Sequence, residues 1–208
     1  MAADYKQMVV NLRQFYDFSG KGVVAVGAGG GQLIDLVPET RKLIVIDNDP
    51  AAIHRWQARI DAEGLKGRVD AVQADFCTAS RGGDVVYFEF SLHEVGDPGK
   101  ALRHALTLAP EVLVFDHLPD SEWVFHAAEE DKVRRSTKAL EESDCVRRQA
   151  FRTEQRFQTY QQLVDKISCQ GKVALERATK YRDANEIAIP MTYGLSLLRG
   201  QPRPVESV

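Results

Sequence analysis

Five short, uninterrupted apolar runs divide the first 118 residues, and this alternation constrains the fold more than any other feature of the sequence. Each run is short and apolar throughout, which is typical of a strand covered on both faces. Most of the segments between these runs have apolar residues at helical spacing or begin with residues that typically start a helix. The sequence therefore predicts an α/β fold, a parallel sheet with helices on both faces. The predicted strands are VVAV (23–26), LIVI (43–46), VDAV (69–72), DVVYFEF (84–90) and VLVF (112–115).

The predicted helices of this half are marked by their spacing and by their start signals. Residues 1–19 carry apolar side chains three and four positions apart, which predicts an amphipathic N-terminal helix. Asp49 followed by Pro50 predicts a helix start, because the carboxylate accepts hydrogen bonds from free backbone N–H groups and proline suits the first position. A third helix is predicted over 101–108, after Pro98.

From residue 119 the composition changes. Residues 119–156 contain 17 charged side chains among 38, with only scattered apolar residues, and this pattern predicts one or two exposed helices. An apolar stripe at helical spacing follows over 157–167. Residues 172–181 and 186–198 are predicted to be two strands joined by a turn. We expect a single domain over 1–208.

Charge and composition exclude several classes of protein. Apolar residues make up 44% and charged residues 27% of the chain, which is typical of a globular domain and excludes a disordered one. The net charge is −3, from 27 basic and 30 acidic residues, so no basic excess indicates a nucleic-acid partner. No apolar run approaches the length of about 18 residues that a membrane span needs, and the N-terminus lacks a signal-peptide pattern. We expect a cytoplasmic protein with reduced thiols, no membrane partner, and a homodimer as an open possibility.

The most informative motif is the glycine cluster in VVAVGAGGGQL (23–33), where a strand runs directly into glycines and then into a helix. Glycines allow a tight turn and the close approach of a ligand, and a helix N-terminus offers free N–H groups. Dinucleotide-binding folds use the spacing G-x-G-x-x-G. Here Gly27, Gly29 and Gly31 give G-x-G-x-G, followed by Gln32. The loop alone is also compatible with a purely structural turn.

That spacing, together with the segments after it, resembles class I S-adenosylmethionine-dependent methyltransferases of the small-molecule type. The stretch GGDVVYFEFSLHEVGDPGKAL strongly resembles the corresponding stretch of these enzymes. The resemblance implies a Rossmann-like, doubly wound, mostly parallel seven-stranded sheet with an antiparallel C-terminal strand hairpin. It covers most of the chain and leaves two additions, the N-terminal helix (1–19) and a helical cap insertion over the acceptor site (119–156). The implied activity is methyl transfer from S-adenosyl-L-methionine to a small-molecule acceptor, with S-adenosyl-L-homocysteine as product.

The resemblance also assigns cofactor contacts to the ends of the predicted strands. An acid after the second strand holds the ribose hydroxyls, and an acid and an apolar residue after the third contact the adenine. The net charge of −4 over residues 1–118, from 12 basic and 16 acidic side chains, suits a sulfonium cofactor. The family often has an acid where this chain has Ala25, so Glu89 or backbone carbonyls would replace it. The implied cofactor-binding residues are Gly27, Ala28, Gly29, Gly31, Asp47, Asn48, Asp75, Phe76, Glu89 and Phe90.

His93 is the candidate general base, because an unperturbed imidazole titrates near neutrality. Glu94 would orient it. The alternative is that His93 caps the next helix or lines the cofactor pocket, and that Glu94 is solvated. Asp116 and His117 form a second acid–imidazole pair at a strand end, or a simple strand-end cap.

No metal site is expected, because the three cysteines are scattered. His126, Glu129 and Glu130 have helical spacing that a metal could use, but in so charged a segment a solvated face is the prediction. Two other functions stay open. An NAD(P)-dependent Rossmann oxidoreductase shares the sheet and the ribose acid, but Gln32 opposes it. A non-catalytic S-adenosylmethionine-binding module is compatible with Ala25 and with the lack of a convincing base.

Overall fold

The structure is a computed structural model that describes residues 5–27 and 35–200. Its centre is a single seven-stranded sheet. The strands are β1 (Gly22–Val26), β2 (Lys42–Asp47), β3 (Val69–Gln73), β4 (Val85–Glu89), β5 (Glu111–His117), β6 (Cys145–Phe157) and β7 (Ile187–Arg199). Their order across the sheet is β3-β2-β1-β4-β5-β7-β6. Strands β1 to β5 pair in parallel, whereas β7 is antiparallel to both of its neighbours.

Helices pack on both faces of this sheet, so the central strands are buried throughout. Every residue of β1 is buried, and β4 is buried up to Glu89 at its carboxyl end. The prediction of a mostly parallel α/β sheet ending in an antiparallel hairpin is confirmed. The helices are α1 (Tyr5–Phe15), α2 (Pro50–Ala62), α3 (Pro98–Leu108), α4 (Glu122–His126), α5 (Glu130–Glu141), α6 (Tyr160–Ile167) and α7 (Lys172–Ala178).

Capping aspartates start two of these helices as their sequences require. The Asp49 carboxylate accepts hydrogen bonds from the backbone N–H groups of Ala51 and Ala52, and Pro50 occupies the first turn of α2. Asp97 caps α3 in the same way, ahead of Pro98. The two capping residues set where α2 begins after β2 and where α3 begins after β4. They therefore limit which residues lie at the carboxyl edge of the sheet.

The prediction that 119–156 is helical is wrong for its last third. Helices α4 and α5 are present, but the chain from Cys145 to Phe157 forms β6, one of the two edge strands of the sheet. Edge strands carry charged side chains that oppose pairing with other molecules. Arginines at positions 147, 148, 152 and 156 serve this purpose in β6 and obscure its alternating pattern.

The predicted strand over 172–181 is also wrong. This segment is α7 followed by a 3₁₀ turn, with Ala174 and Ala178 buried four residues apart on one helical face. The second predicted strand is confirmed as β7, whose partner is β6, from Cys145 opposite Leu198 to Phe157 opposite Ile187. Across residues 5–27 and 35–200, no helix combines the length and apolarity needed to cross a membrane.

Candidate functional site

A cavity of about 1010 Å³ lies at the carboxyl edge of the parallel strands. Open α/β sheets bind ligands in this position, where loops from several strand ends converge. Gly27, Glu89 and Phe90 line its middle. One flank, the β2–β3 side, consists of Asp47, Asn48, Asp75, Phe76 and Cys77. The opposite flank, the β5–β7 side, consists of Met8, His117, Trp123, Gln155, Lys166 and Met191.

The structure brings together the predicted cofactor-binding residues that it describes. These seven come from the ends of β1, β2, β3 and β4, and all line the one cavity. Ala28, Gly29 and Gly31 lie outside the described residues. Binding of a cofactor by this set stays a prediction, but the geometry it requires is present. The seven residues are Gly27, Asp47, Asn48, Asp75, Phe76, Glu89 and Phe90.

Gly27 occupies a position that only glycine fits well. Its backbone φ is +87°, in the left-handed region, and its N–H donates to the Ile46 carbonyl at 2.9 Å. A β-carbon there would lie 2.7 Å from Cβ of Ser91, whose hydroxyl donates to the Val26 carbonyl at 2.6 Å. The first glycine of the motif thus lets the β1 and β4 loops approach each other at the cavity wall.

Carboxylates dominate the β2–β3 side. Asp47 is half-buried at the end of β2 and accepts a hydrogen bond from the Asp49 N–H at 2.8 Å. Asp75 is exposed after β3 and accepts from the Cys77 N–H at 2.9 Å. A carboxylate offers about four lone-pair sites, so both groups can accept hydrogen bonds from ligand hydroxyl or amino groups as well.

Phe76 and Cys77 add apolar surface beside Asp75. The Phe76 side chain is mostly buried, edge-on to Phe88 at 5.4 Å and to His104 at 5.3 Å between ring centroids. It therefore presents only a small part of its ring to the cavity. Burial and the neighbouring Asp75 charge raise the pKa of the Cys77 thiol, which keeps it in the unreactive thiol form.

Glu89 is the acidic group in the middle of the cavity. Ala25 is buried in β1, and the pairing of Val26 with Phe88 places Glu89 beside Gly27. Burial raises the pKa of Glu89 to about 8, and the charge of Asp35 adds to this effect. Glu89 is therefore largely protonated at neutral pH unless a cation binds next to it.

Phe90 continues β4 with a strained backbone. Its φ is +47°, unusual for a bulky residue, and its N–H donates to the Phe115 carbonyl at 2.7 Å. The ring packs on Phe115 and on His117, each at 4.6 Å between centroids. Strain of this kind is concentrated at ligand-binding sites, and here it turns the ring towards the β5–β7 side.

The role of general base does not fit His93. Its side chain is 3% exposed and does not line the cavity. Its Nδ1 lies 2.5 Å from Asp116 Oδ1, and its backbone N–H donates to Asp116 Oδ2 at 3.0 Å. Burial acts to lower the pKa of His93, but hydrogen bonds to Asp116, Glu129 and Glu94 raise it to about 11. With a pKa of about 11 the imidazole is already protonated at neutral pH and cannot accept a proton there, and its hydrogen bonds to Asp116 join the β4 and β5 loops.

Glu94 and Glu129 complete an ionic cluster around that imidazole. Their carboxylates lie 3.5 Å and 3.8 Å from His93 Nε2. Lys132 donates to Glu94 at 2.7 Å, and Gln170 donates to Glu129 at 2.7 Å. Ligand atoms of His93, Glu94 and Glu129 lie within 4.8 Å of one another, a spacing that a metal ion could bridge. These atoms already have protein partners, which favours an ionic cluster of structural role.

The solvated face predicted for the His126 segment is wrong. The His126 side chain is 1% exposed and Glu129 is 4% exposed, because α4 packs against the sheet and α7. Glu130 pairs with Arg177 at 2.6 Å. The charged segment is therefore tied into the fold through its own partners.

The His117 and Asp116 side chains do not hydrogen-bond to each other, contrary to the acid–imidazole pair considered from the sequence. The Asp116 carboxylate accepts from the His117 backbone N–H at 2.8 Å, but its side-chain partner is His93. Burial lowers the pKa of His117 to about 4, so the ring is neutral. Its Nδ1 is buried with no hydrogen-bond partner among the described residues. This ring lines the cavity and offers it an unsatisfied polar atom.

The sequence analysis did not predict that the other residues of the β5–β7 side would line the cavity. Gln155 is 7% exposed, and its Oε1 has no hydrogen-bond partner within the described ranges. Its amide nitrogen lies 3.2 Å from the sulfur of Met191, and Trp123 stacks on Phe157 at 5.9 Å. Gln155 and Phe157 lie two positions apart and both face inward, and this alternation is the sequence pattern that could have indicated a strand. Because 119–156 was predicted to be helical, this strand was not predicted.

Comparison with known proteins agrees with this geometry. The methyltransferase domain family matches residues 24–109. The YcgJ protein of Bacillus subtilis shares 14% identity and a TM-score of 0.69, over 95% of this chain and 100% of that one. A protein of Bacillus halodurans assigned as a methyltransferase shares 16% identity and a TM-score of 0.68, over 93% and 98%. The N-methyltransferase NodS of Bradyrhizobium japonicum shares 14% and a TM-score of 0.57, over 94% and 97%. No curated protein sequence matches the chain.

Proposed function

We propose that this chain is a class I S-adenosylmethionine-dependent methyltransferase that methylates a small-molecule acceptor, supported by the match of residues 24–109 to the methyltransferase domain family and by the fold. The observation that carries the proposal is one continuous cavity of about 1010 Å³, which joins the predicted cofactor residues to the residues of the β5–β7 side. Ligand cavities in proteins typically range from about 300 to 1,000 Å³. This volume supports a nucleoside cofactor and a small acceptor bound side by side.

The residues of the β2–β3 side and the middle fit the cofactor. Asp47 would accept hydrogen bonds from the ribose hydroxyls, and Asp75 from the adenine amino group. Gly27 leaves a wall without a side chain, where a β-carbon would lie 2.7 Å from Ser91. Glu89, beside Gly27, would take the place of the acid missing at Ala25 and pair with the amino group of the methionine portion. When bound, S-adenosylmethionine supplies an electrophilic methyl group on a positively charged sulfur.

The chain's own contribution to catalysis is alignment. Methyl transfer is a displacement at carbon, and its barrier falls when the acceptor atom is held in line behind the methyl group. Phe90, in the middle of the cavity, contacts His117 of the β5–β7 side, with ring centroids 4.6 Å apart. The neutral His117 ring can hold the acceptor's nucleophilic group by a hydrogen bond. The His93–Asp116 pair fixes the β4 and β5 loops that carry these two rings.

A small acceptor is favoured over a nucleic acid by charge and by enclosure. The net charge of the chain is −3, and acidic side chains dominate the cavity's β2–β3 side. A polynucleotide backbone needs a basic surface. The β5–β7 side is instead lined by buried groups from the sheet and helices, including Trp123, Gln155 and Met191.

A non-catalytic S-adenosylmethionine-binding module is the second candidate. It is favoured by one observation, the engagement of His93 with three carboxylates, which removes the expected general base. Methylation of acceptors that are nucleophilic without deprotonation needs no such base, so the enzymatic proposal stands ahead of it.

An untargeted metabolite screen with a methyl-labelled donor tests the proposal. The purified chain is incubated with labelled S-adenosylmethionine and a small-molecule extract, and labelled products are identified by mass spectrometry. Transfer of label to a discrete compound supports the enzyme. Tight cofactor binding without transfer to any compound would favour the binding module, and label in added RNA alone would contradict the small-molecule acceptor.

A further inference from the structure

We propose that the acceptor is a small aromatic carboxylic acid, bound on the β5–β7 side with its carboxylate at Lys166 and its ring beside Trp123. This inference rests on the proposed function and specifies the acceptor that the cavity would take. It follows from the charge, the unsatisfied polar atoms and the apolar surface of that flank.

Lys166 gives the β5–β7 side a positive charge. It lies on α6, lines the cavity, and has an ammonium group that pairs with no carboxylate in the described part of the chain. None of the other five residues of this side is acidic, and Glu94, which also lines the cavity, is paired with Lys132 at 2.7 Å. Burial is the main cause of the lowered pKa of His117; the charges of His93 and Lys166 add to it, while those of Asp116 and Glu94 oppose it. An anionic ligand on this side would therefore find an available cationic partner in Lys166.

Two buried polar atoms on the same side lack partners. They are Oε1 of Gln155, on a side chain 7% exposed, and Nδ1 of His117, on a side chain 8% exposed. Leaving a buried polar atom without a hydrogen bond is costly, so native structures satisfy nearly all of them. The Gln155 oxygen can only accept a hydrogen bond, so a ligand with a hydroxyl or amino substituent on its ring would satisfy it. The two come from different strands, β6 and β5, and both side chains line the cavity.

The remaining surface is apolar and aromatic. Trp123 is held by its stack on Phe157 at 5.9 Å, and the Phe90 ring lies against His117. Met8 and Met191 add flexible thioether side chains, which pack favourably against aromatic rings. A flat ring fits such a surface better than a sugar or a flexible polar chain, because it buries apolar area without stranding hydroxyl groups.

Matched acids and amides test the proposal directly. The probes are benzoate, 4-hydroxybenzoate, anthranilate and indole-3-acetate, each paired with its uncharged carboxamide. Dissociation constants are measured by calorimetry on protein saturated with S-adenosylhomocysteine. We expect at least one acid to bind about tenfold or more tightly than its amide, as a charge-assisted hydrogen bond allows. Lys166→Met should reduce that preference to less than about twofold, and Lys166→Arg should retain most of it.

Two further variants separate this role from a general loss of structure. Lys172→Met, which removes an exposed lysine outside the cavity that pairs with Glu176, should leave the preference unchanged. Gln155→Leu should weaken the acid and the amide alike, since both fill the same flank.

Different results would overturn the inference about the acceptor and the proposed methyltransferase function. Binding of S-adenosylhomocysteine with no binding of any acid, or with equal binding of acids and amides, overturns the inference alone. A preference that survives Lys166→Met also overturns it. Absence of S-adenosylhomocysteine binding overturns the proposed function, and the inference with it.

Discussion

Replacing Gly27 by alanine tests the construction of the cavity wall, because two separate costs meet at that residue. Its φ of +87° lies where an L-residue with a β-carbon is strained, by about 1–2 kcal/mol. The new methyl group would also lie 2.7 Å from Cβ of Ser91, and such overpacking costs roughly 1–3 kcal/mol. The free energy of unfolding should therefore fall by about 2–5 kcal/mol, measured by urea denaturation.

Gly20 provides the matched control for this prediction. Its φ is +69°, but a β-carbon there would meet nothing within 4 Å, so Gly20→Ala should show the backbone cost alone. Adding Ser91→Gly to Gly27→Ala should recover part of the loss, since it removes the opposing β-carbon. Affinity for S-adenosylhomocysteine should fall in Gly27→Ala and not in Gly20→Ala. Equal destabilisation by the two alanine variants would refute the close approach of the β1 and β4 loops.

Two predictions concern buried charges. Asp116→Asn should lower the free energy of unfolding by about 3–5 kcal/mol at neutral pH, because it leaves the His93 imidazolium without its closest carboxylate. Folding raises the pKa of His93 from 6.5 to about 11. The stabilisation by the His93–Asp116 pair is therefore complete below pH 6.5 and is lost as the pH rises through 11. If the difference in free energy of unfolding between wild type and Asp116→Asn stayed constant from pH 6 to pH 10, this assignment would be contradicted. The folded protein retains the Glu89 proton up to a pKa of about 8, whereas the unfolded chain loses it near 4.5, so wild-type stability should fall over that range. Glu89→Gln should remove this fall in the free energy of unfolding. If wild type and Glu89→Gln gave parallel pH profiles in urea denaturation, a buried, protonated Glu89 would be ruled out.

The sheet was predictable where burial and sequence pattern coincide. Strands such as β1 and β4 are covered on both faces, so their apolar runs are continuous and identify them without knowledge of the rest of the fold. Asp49 could be placed as a helix cap because capping is a local interaction between a side chain and the next turn. The candidate cofactor residues follow from these elements, since each lies at a strand end.

The second half was less predictable, because its patterns depend on contacts distant in sequence. Strand β6 is an edge strand whose arginines match an exposed helix in composition. Helix α7 buries small alanines, which give a weak apolar signal. The state of His93 depends on Asp116, 23 residues further along the chain, and no local motif specifies that pairing. Gln155 and Lys166 reach the cavity only through the placement of β6 and α6.

Calorimetric titration of the purified chain with S-adenosylhomocysteine and, separately, with NADH tests the central claim most directly. We expect S-adenosylhomocysteine to bind and NADH to show no binding. Asp47→Ala should weaken the binding by about 5- to 150-fold, the loss of one or two hydrogen bonds to a carboxylate. Asp61→Ala, which removes an exposed carboxylate of α2 paired with Lys66, should have no effect. Tight binding of NADH without binding of S-adenosylhomocysteine would contradict the claim.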